Sequence, residues 1–254
     1  MQQVKISAKI NKKDFRYIEA LKTLRTNVLF SGYEKKVILL TSSLPDEGKS
    51  EVSFRLAESL AEIDKKVLYV DADIRKSVMA VRLKVDFEIK GLSEYLSGQE
   101  KNLENIFFDT TVPNMHIVFA GEYSPNPSEL LQGTKFSEFL EYARAMYDYV
   151  IIDTPPMGNV IDAAIIGSRC DGAIVVIESG AISYRLEQKV KSQLEASGCP
   201  ILGYVLNKID IKSDAYGQYG KYGKYGKYSK YGKYSKYGKY EKYSKEKVDI
   251  SDQS

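Results

Sequence analysis

The sequence has few of the residues on which several classes of functional site depend. Its 254 residues include no tryptophan, one histidine and two cysteines. Cys170 and Cys199 are too few for a disulfide framework or a zinc cluster, and we expect both to be reduced core thiols of a cytoplasmic protein. The lone histidine, His116, lies in an apolar stretch. We expect it at a strand edge rather than in a catalytic or metal site.

Long hydrophobic runs are also missing. No apolar stretch approaches the ~18 residues needed to span a bilayer, and no signal-like segment opens the chain. With 43% hydrophobic and 28% charged residues, the composition is that of a soluble globular protein. Any membrane role is therefore expected to come through a partner.

The net charge of +3 conceals a difference between the body of the chain and its tail. Residues 1–215 contain 27 basic and 30 acidic residues, whereas residues 216–254 contain ten lysines and four acids. In the tail, tyrosine recurs at every third position, and a period of three matches neither a helix nor a strand. Because Gly, Ser and Lys supply no core, we expect disorder. The tail tyrosines are Tyr216, Tyr219, Tyr222, Tyr225, Tyr228, Tyr231, Tyr234, Tyr237, Tyr240 and Tyr243.

The body alternates apolar strands with amphipathic helices. The predicted strands are Val37–Thr41, Val67–Asp71, His116–Ala120, Tyr149–Asp153, Ala173–Ile177 and Ile201–Leu206. The predicted helices are Asp14–Phe30, Ser50–Asp64, Thr134–Tyr147 and Ile182–Ser197. This order indicates an α/β fold with a doubly wound, mostly parallel sheet, which binds ligands at the carboxyl ends of its strands.

A phosphate-binding loop follows the first predicted strand. The segment Ser43-Leu-Pro-Asp46-Glu47-Gly48-Lys49-Ser50 is a P-loop pattern in which serine replaces the first glycine, and a strand and a helix flank it as such a loop requires. Backbone N–H groups of this loop and the helix N-terminus bind phosphate. Lys49 is expected to contact the β- and γ-phosphates of ATP, and the Ser50 hydroxyl to ligate Mg²⁺.

Carboxylates end two further strands. Asp71 and Asp73 share a face because alternate strand residues do, and Asp153 ends a strand elsewhere in the chain. A solvated strand end explains any one of these acids equally well, but three of them beside a P-loop predict a Mg²⁺ site. Asn207, after the last strand, is predicted to border the adenine, although an ordinary strand-end turn accounts for it nearly as well.

The P-loop, the Asp71-x-Asp73 and Asp153-Thr-Pro-Pro strand ends and the tyrosine tail together resemble the bacterial tyrosine kinases. More narrowly, residues 15–243 resemble the free-standing cytoplasmic autokinases of Gram-positive capsular and exopolysaccharide clusters. The resemblance implies a P-loop NTPase-like kinase that uses ATP and Mg²⁺ to phosphorylate its own tail between subunits, and so regulates polysaccharide polymerisation and export. It also implies an oligomerisation segment at 1–34, a kinase domain at 35–212 and a phosphorylated tail at 213–254.

The resemblance assigns roles to particular residues. Asp73 orients and deprotonates the acceptor hydroxyl, Asp71 and Asp153 organise Mg²⁺, and Lys49 supports the transferring phosphoryl group. The implied partners are a homo-oligomeric ring, a separate transmembrane adaptor of the polysaccharide co-polymerase type and a cognate tyrosine phosphatase. The adaptor would recruit the cytoplasmic kinase to the inner face of the membrane. No nucleic-acid partner is expected.

The chain departs from the family pattern at two places. The family loop usually reads Pro-Gly-Glu-Gly-Lys, whereas Asp46 replaces the first glycine here. Aspartate tolerates left-handed backbone better than most residues, but its carboxylate weakens phosphate binding unless it points outward. The family oligomerisation pattern Glu-x-x-Arg-x-x-Arg occurs here as Glu19, Lys22 and Arg25. Because lysine cannot reproduce a bidentate arginine fork, a solvated helix face remains the alternative to a ring contact.

Two other classes of protein remain as alternatives. A partitioning or division-site ATPase of the deviant Walker type would carry a signature lysine five residues before the P-loop lysine, where this chain has Leu44. A non-enzymatic protein with a basic, aromatic tail would bind anionic surfaces. That second reading leaves the P-loop and the three carboxylates without a role.

Overall fold

The computed structural model describes residues 3–5, 15–158 and 160–209. The predicted disordered tail with its ten tyrosines, and Asp14 at the predicted start of the first helix, lie outside these residues. Within them, no helix is both long and apolar enough to cross a membrane.

The strands have the following bounds: β1 Gln3–Val4, β2 Val37–Ser42, β3 Val67–Asp71, β4 Phe108–Thr110, β5 Met115–Val118, β6 Tyr149–Asp153, β7 Gly172–Glu178 and β8 Ile201–Asn207. The six predicted strands are all confirmed, with ends shifted by no more than two residues. The short strands β1 and β4 were not predicted, because two or three residues are too few to show a period.

The helices have the following bounds: α1 Phe15–Phe30, α2 Lys49–Ala61, α3 Met79–Arg82, α4 Leu92–Ser97, α5 Pro127–Gln132, α6 Thr134–Met146, α7 Asp162–Gly167 and α8 Tyr184–Ala196, with a 3-10 turn at Leu103–Ile106. The four long helices match those predicted. The helices α3, α4, α5 and α7 each have four to six residues, too short for a helical repeat to be visible in the sequence.

The strands of the described residues form one sheet in the order β1-β4-β5-β3-β6-β2-β7-β8. The run from β5 to β8 is parallel, and β4 pairs antiparallel to β5. The predicted doubly wound, mostly parallel sheet is therefore confirmed. Because β2 lies between β6 and β7 while the chain continues to β3 on the far side of β6, the P-loop emerges at a switch point of the sheet, where such folds bind ligands.

Each face of the sheet is covered by helices. Ile38 and Leu40 of β2 pack in one apolar core with α1 and α2, whereas Leu39 between them packs in a second core with α4 to α8. The central strands β3 and β6 consequently carry apolar or aromatic side chains on every residue before the last, as a sheet buried on both faces requires. The carboxyl ends of these strands are the only part of β3 and β6 at which charged side chains occur.

The two cysteines are thiols as the sequence predicts, whereas the histidine lies within β5, an inner strand between β4 and β3, and not at a strand edge. Cys170 and Cys199 are both free thiols, the second fully buried. His116 lies in β5, where its Nδ1 is 3.0 Å from the Tyr147 hydroxyl and its Nε2 is 3.0 Å from an oxygen of Asp109. These contacts give the histidine structural partners, and neither is one of the acids that end β3 and β6.

Candidate active site

The P-loop connects β2 to α2 through two residues in left-handed backbone. Asp46 has φ 63° and Gly48 has φ 89°, and α2 begins at the next residue, Lys49. The side chain of Asp46 is exposed. The aspartate thus adopts the backbone conformation that its substitution for glycine requires.

The buried side chain of Glu47 fixes the shape of the loop. Its Oε2 accepts a hydrogen bond from the backbone N–H of Leu44 at 2.7 Å, and its Oε1 accepts one from the N–H of Glu178 at 3.1 Å. Both carboxylate oxygens are therefore engaged within the protein. Only the backbone of Glu47 is available for a phosphate.

Asn207 joins the end of β8 to the same loop. Its side-chain Nδ2 donates to the carbonyl of Glu47 at 2.9 Å, and a Cβ atom on Gly48 would lie 2.2 Å from that nitrogen. The positive φ of Gly48 and this close approach both favour glycine at position 48. The residue predicted to border the base therefore contacts the phosphate loop directly.

Ser43, the first residue of the P-loop, is directed towards α8. Its hydroxyl donates to Oε2 of Glu187 at 2.8 Å, and its carbonyl accepts from the N–H of Gly158 at 3.0 Å. The segment that follows Asp153 is therefore hydrogen-bonded to the first residue of the P-loop. The Ser43 hydroxyl thus has a structural partner of its own.

The predicted catalytic side chains converge at the ends of β3 and β6. Asp71 and Asp153 are directly opposite in the parallel register of these strands, and each is only 2% exposed. The Lys49 Nζ lies 3.4 Å from Oδ1 of Asp153 and 3.1 Å from the Ser50 hydroxyl. Residues separated by about 100 positions in the chain thus form one cluster.

Burial perturbs both carboxylates. Burial, followed by the negative charge of Asp153, raises the pKa of Asp71 to about 7, and the Ser77 hydroxyl that donates to Asp71 opposes this rise. Burial also raises the pKa of Asp153, against the effects of the Lys49 ammonium and of a hydrogen bond from Ser50. One ammonium thus faces two buried carboxylates, an arrangement that a further cation would stabilise.

The oxygen-rich composition of this cluster fits Mg²⁺. Two carboxylates and the Ser50 hydroxyl are hard oxygen donors, and Mg²⁺ usually binds one or two carboxylates together with waters and substrate phosphates. No group of three His, Cys, Asp or Glu side chains within residues 3–5, 15–158 and 160–209 is arranged to hold a metal by itself. The site therefore suits a cation that arrives with a nucleotide.

Asp73 lies on the turn that follows β3. Its backbone N–H donates to Oδ1 of Asp71 at 3.2 Å, and its own Oδ1 accepts from the N–H of Lys76 at 3.1 Å. The side chain is partly exposed. Asp73 is thus held beside the buried pair while remaining accessible from outside.

The predicted oligomerisation residues of α1 divide into two kinds. Glu19 and Lys22 form an ion pair of 2.8 Å, and about half of each side chain is exposed. Arg25 instead donates to the backbone carbonyl of Ser59 in α2 at 3.0 Å. The arginine therefore stabilises the packing of α1 against α2 within its own subunit. The ion pair of Glu19 and Lys22 is the part of the motif that lies on the surface.

Sequence reasoning missed several residues that shape the site. Glu187 contacts Ser43 from α8, and Arg75 forms a bidentate pair with Asp162, whose Oδ1 it contacts at 2.9 Å. No local pattern indicates either contact. Tyr69 could have been found from the sequence, because alternate residues of a strand share a face and Tyr69 is two residues before Asp71.

Comparison with known proteins identifies the family. Residues 35–191 match a family profile described as an AAA domain. The chain is 45% identical over 209 residues to the tyrosine-protein kinase CpsD of Streptococcus agalactiae, which covers 82% of this chain and 90% of that protein. The chain belongs to the bacterial tyrosine-kinase family. It is accordingly a protein-tyrosine kinase, with the ATP-using P-loop domain of that family.

Solved structures agree with this family. The kinase domain of the Escherichia coli tyrosine kinase ETK superposes with a TM-score of 0.74 at 30% identity, covering 84% of this chain and 91% of that one. The septum site-determining protein MinD of Pyrococcus horikoshii, solved with Mg-ADP, superposes with a TM-score of 0.58 at 26% identity, covering 72% and 76%. The division-site ATPases are thus distant relatives of this tyrosine kinase, and the alternative function based on them is not supported.

Proposed function

We propose that this kinase transfers the γ-phosphoryl group of ATP to its own tail tyrosines, between Tyr216 and Tyr243, and does so between subunits. The observation that carries the proposal is the convergence of Lys49, Asp71 and Asp153 beside a P-loop, in a chain that also presents ten regularly spaced tyrosines. Phosphoryl transfer needs little covalent chemistry from the protein and depends on positioning and charge stabilisation. The P-loop and the Lys49 ammonium support the proposal, because a phosphate-binding loop can position the nucleotide and a cation can stabilise charge.

The residues of the cluster take distinct roles in this proposal. Lys49 neutralises charge on the transferring phosphoryl group, and the backbone N–H groups from Ser43 to Ser50 bind the phosphates. Asp73 accepts the proton of the acceptor hydroxyl, because it is the partly exposed member of the three acids. Asn207 borders the base.

Mg²⁺ would be held by Ser50, Asp71 and Asp153. Bound with the nucleotide, it supplies charge neutralisation at the β- and γ-phosphate oxygens. The carboxylates of Asp71 and Asp153 would orient it. Burial raises the pKa of both groups, and the positive charge of the metal would stabilise their ionised forms. The Ser50 hydroxyl lies 3.1 Å from Lys49 Nζ, so this proposed metal ligand adjoins the proposed phosphate-binding ammonium.

The sequence of the tail suits its role as substrate. A tethered tyrosine is present at roughly millimolar effective concentration, so weak contacts with each acceptor suffice. Ten acceptors with similar neighbours also allow stepwise phosphorylation. The proposed division is therefore an oligomerisation segment at 1–34, a kinase domain at 35–212 and an acceptor tail at 213–254.

The biological setting of this proposal is polysaccharide export. The kinase would act as a ring at the inner face of the membrane, recruited by a separate transmembrane adaptor and reset by a tyrosine phosphatase. Phosphorylation of the tail would regulate polymerisation and export of a capsular or extracellular polysaccharide. The similarity to CpsD of Streptococcus agalactiae supports this setting.

A mixing experiment tests both the acceptor and the direction of transfer. A Lys49→Met protein of full length serves only as acceptor, and a protein lacking residues 216–254 serves only as donor. With labelled ATP and Mg²⁺, label on tail tyrosines of the Lys49→Met chain is the expected result. If the Lys49→Met chain stays unlabelled while the unaltered protein labels its own tail, transfer occurs within one subunit, and the proposed direction is wrong. If neither labels, tail phosphorylation itself is refuted.

A further inference from the structure

Tyr69 of β3 places a phenol hydroxyl beneath the candidate active site. Its side chain is fully buried, and its ring packs edge-on against Phe54 of α2 with the centroids 5.2 Å apart. The hydroxyl oxygen lies 3.4 Å from Oδ2 of Asp153. A buried hydroxyl is costly unless it has a hydrogen-bond partner, so the identity of that partner matters.

The Tyr69 hydroxyl has one proton to donate, and the carboxylate of Asp153 is an acceptor within reach. The hydroxyl of Ser53, on the adjacent helix α2, donates to the backbone carbonyl of Ser50 at 3.2 Å. A tyrosine hydroxyl is protonated at neutral pH, so it acts as the donor to this carboxylate, and hydrogen bonds to an ionised acceptor are among the strong ones.

Asp153 is thus contacted at both of its carboxylate oxygens. Lys49 Nζ approaches Oδ1, and the Tyr69 hydroxyl approaches Oδ2, each at 3.4 Å. Lysine is long and flexible and is proposed to bind phosphate, whereas Tyr69 is fully buried in the apolar core on one face of the sheet. Both distances are long for hydrogen bonds, and catalytic hydrogen bonds commonly shorten when substrate binds.

We propose that the Tyr69 hydroxyl is a positioning group for Asp153, which turns Oδ1 of that carboxylate towards Ser50 so that the two residues hold Mg²⁺ together. This inference rests on the proposed role of Ser50 and Asp153 as metal ligands. The hydroxyl touches neither nucleotide nor acceptor, and acts only through Asp153. Its removal should therefore weaken the metal more than the nucleotide.

Tyr69→Phe tests this inference by removing one oxygen while keeping the ring that packs on Phe54. Tyr147→Phe is the matched control, because it removes a hydroxyl that is hydrogen-bonded to His116 at 3.0 Å and contacts neither Asp71 nor Asp153 in the described residues. For each full-length protein, calorimetry measures ADP binding over a series of Mg²⁺ concentrations. Phosphorylation of the tail is followed over the same series, and thermal unfolding reports folding.

The inference predicts that Tyr69→Phe raises the Mg²⁺ concentration for half-maximal ADP binding about tenfold. ADP affinity without Mg²⁺ should stay unchanged, and the phosphorylation rate should recover at high Mg²⁺. An unchanged Mg²⁺ dependence, or an equal shift in Tyr147→Phe, overturns it. Failure of the unaltered protein to phosphorylate its tail would instead refute the proposed function, while the Mg²⁺ dependence of ADP binding still tests Tyr69.

A structure of the unaltered protein keeps the inference testable if Tyr69→Phe does not fold. In a crystal grown with ADP and Mg²⁺, the Tyr69 hydroxyl should lie within about 3.0 Å of Asp153, an ordinary hydrogen-bond distance. A separation beyond about 3.5 Å, with Asp153 still at the metal, overturns the inference.

Discussion

Asp73 is partly exposed, whereas Asp71 and Asp153 are buried. This difference is the reason for its proposed role as proton acceptor. Asp73→Asn keeps the side-chain oxygen that accepts from the N–H of Lys76, so the turn should survive. We predict a loss of tail phosphorylation of at least about 100-fold, since an amide cannot take the acceptor proton. ADP binding by calorimetry should remain largely intact. Parallel loss of both properties would show that Asp73 maintains the site instead of accepting the proton.

Asp46 offers a second test at the scale of one residue. It holds a left-handed conformation at φ 63° and brings a carboxylate into the phosphate loop. Asp46→Gly should tighten ADP binding by about two- to fivefold at low salt, because it removes like-charge repulsion, and the gain should shrink as salt is added. Asp46→Asn removes the same charge while tolerating left-handed backbone. A gain in Asp46→Gly alone would assign the effect to the backbone, and unchanged binding in both variants would contradict the account.

At the scale of elements, α1 combines a stabilising contact with a surface motif. Arg25 is tied to the carbonyl of Ser59 in α2, whereas Glu19 and Lys22 pair in solvent. Arg25→Ala should lower the free energy of unfolding by about 1–2 kcal/mol. Lys22→Ala should change it by no more than about 0.5 kcal/mol, as for an exposed pair on one helix face.

Urea unfolding at low protein concentration, with mass photometry on the same samples, separates these effects. Lys22→Ala should alter the distribution of oligomers without altering unfolding. Equal unfolding curves for both variants would contradict the division of the motif into a structural and a surface part.

The strands and long helices could be predicted because each leaves a periodic pattern in its own residues. The runs Val67–Asp71 and Tyr149–Asp153 are apolar up to their final acid, so both the strands and the importance of those acids are visible locally. Their register is not visible, because Asp71 meets Asp153 only once the sheet forms. The contacts of Ser43 with Glu187 and of Arg75 with Asp162 are likewise not visible in the sequence, because the members of these pairs lie 144 and 87 positions apart.

At the scale of the whole molecule, the charge of the tail connects catalysis to assembly. The ten lysines and four acids of residues 216–254 give a charge of +6, and each phosphotyrosine adds about −1.5 to −2. Four phosphates therefore bring the tail to roughly zero or below, and further ones make it anionic. We predict that phosphorylation weakens the proposed ring and any contact with acidic surfaces. Mass photometry before and after phosphatase treatment measures the first effect, and identical assemblies at every degree of phosphorylation would contradict it.

The central claim is that this molecule is a tyrosine kinase whose own tail is its substrate. Intact mass after incubation with ATP and Mg²⁺ tests it most directly, on the unaltered protein, on Lys49→Met and on a chain lacking residues 216–254, each with and without the cytoplasmic segment of the proposed adaptor. The account predicts stepwise gains of phosphate in the unaltered protein alone. Continued ATP hydrolysis with no gain in mass would contradict it, and would leave a nucleotide-dependent switch with the tail as a binding element.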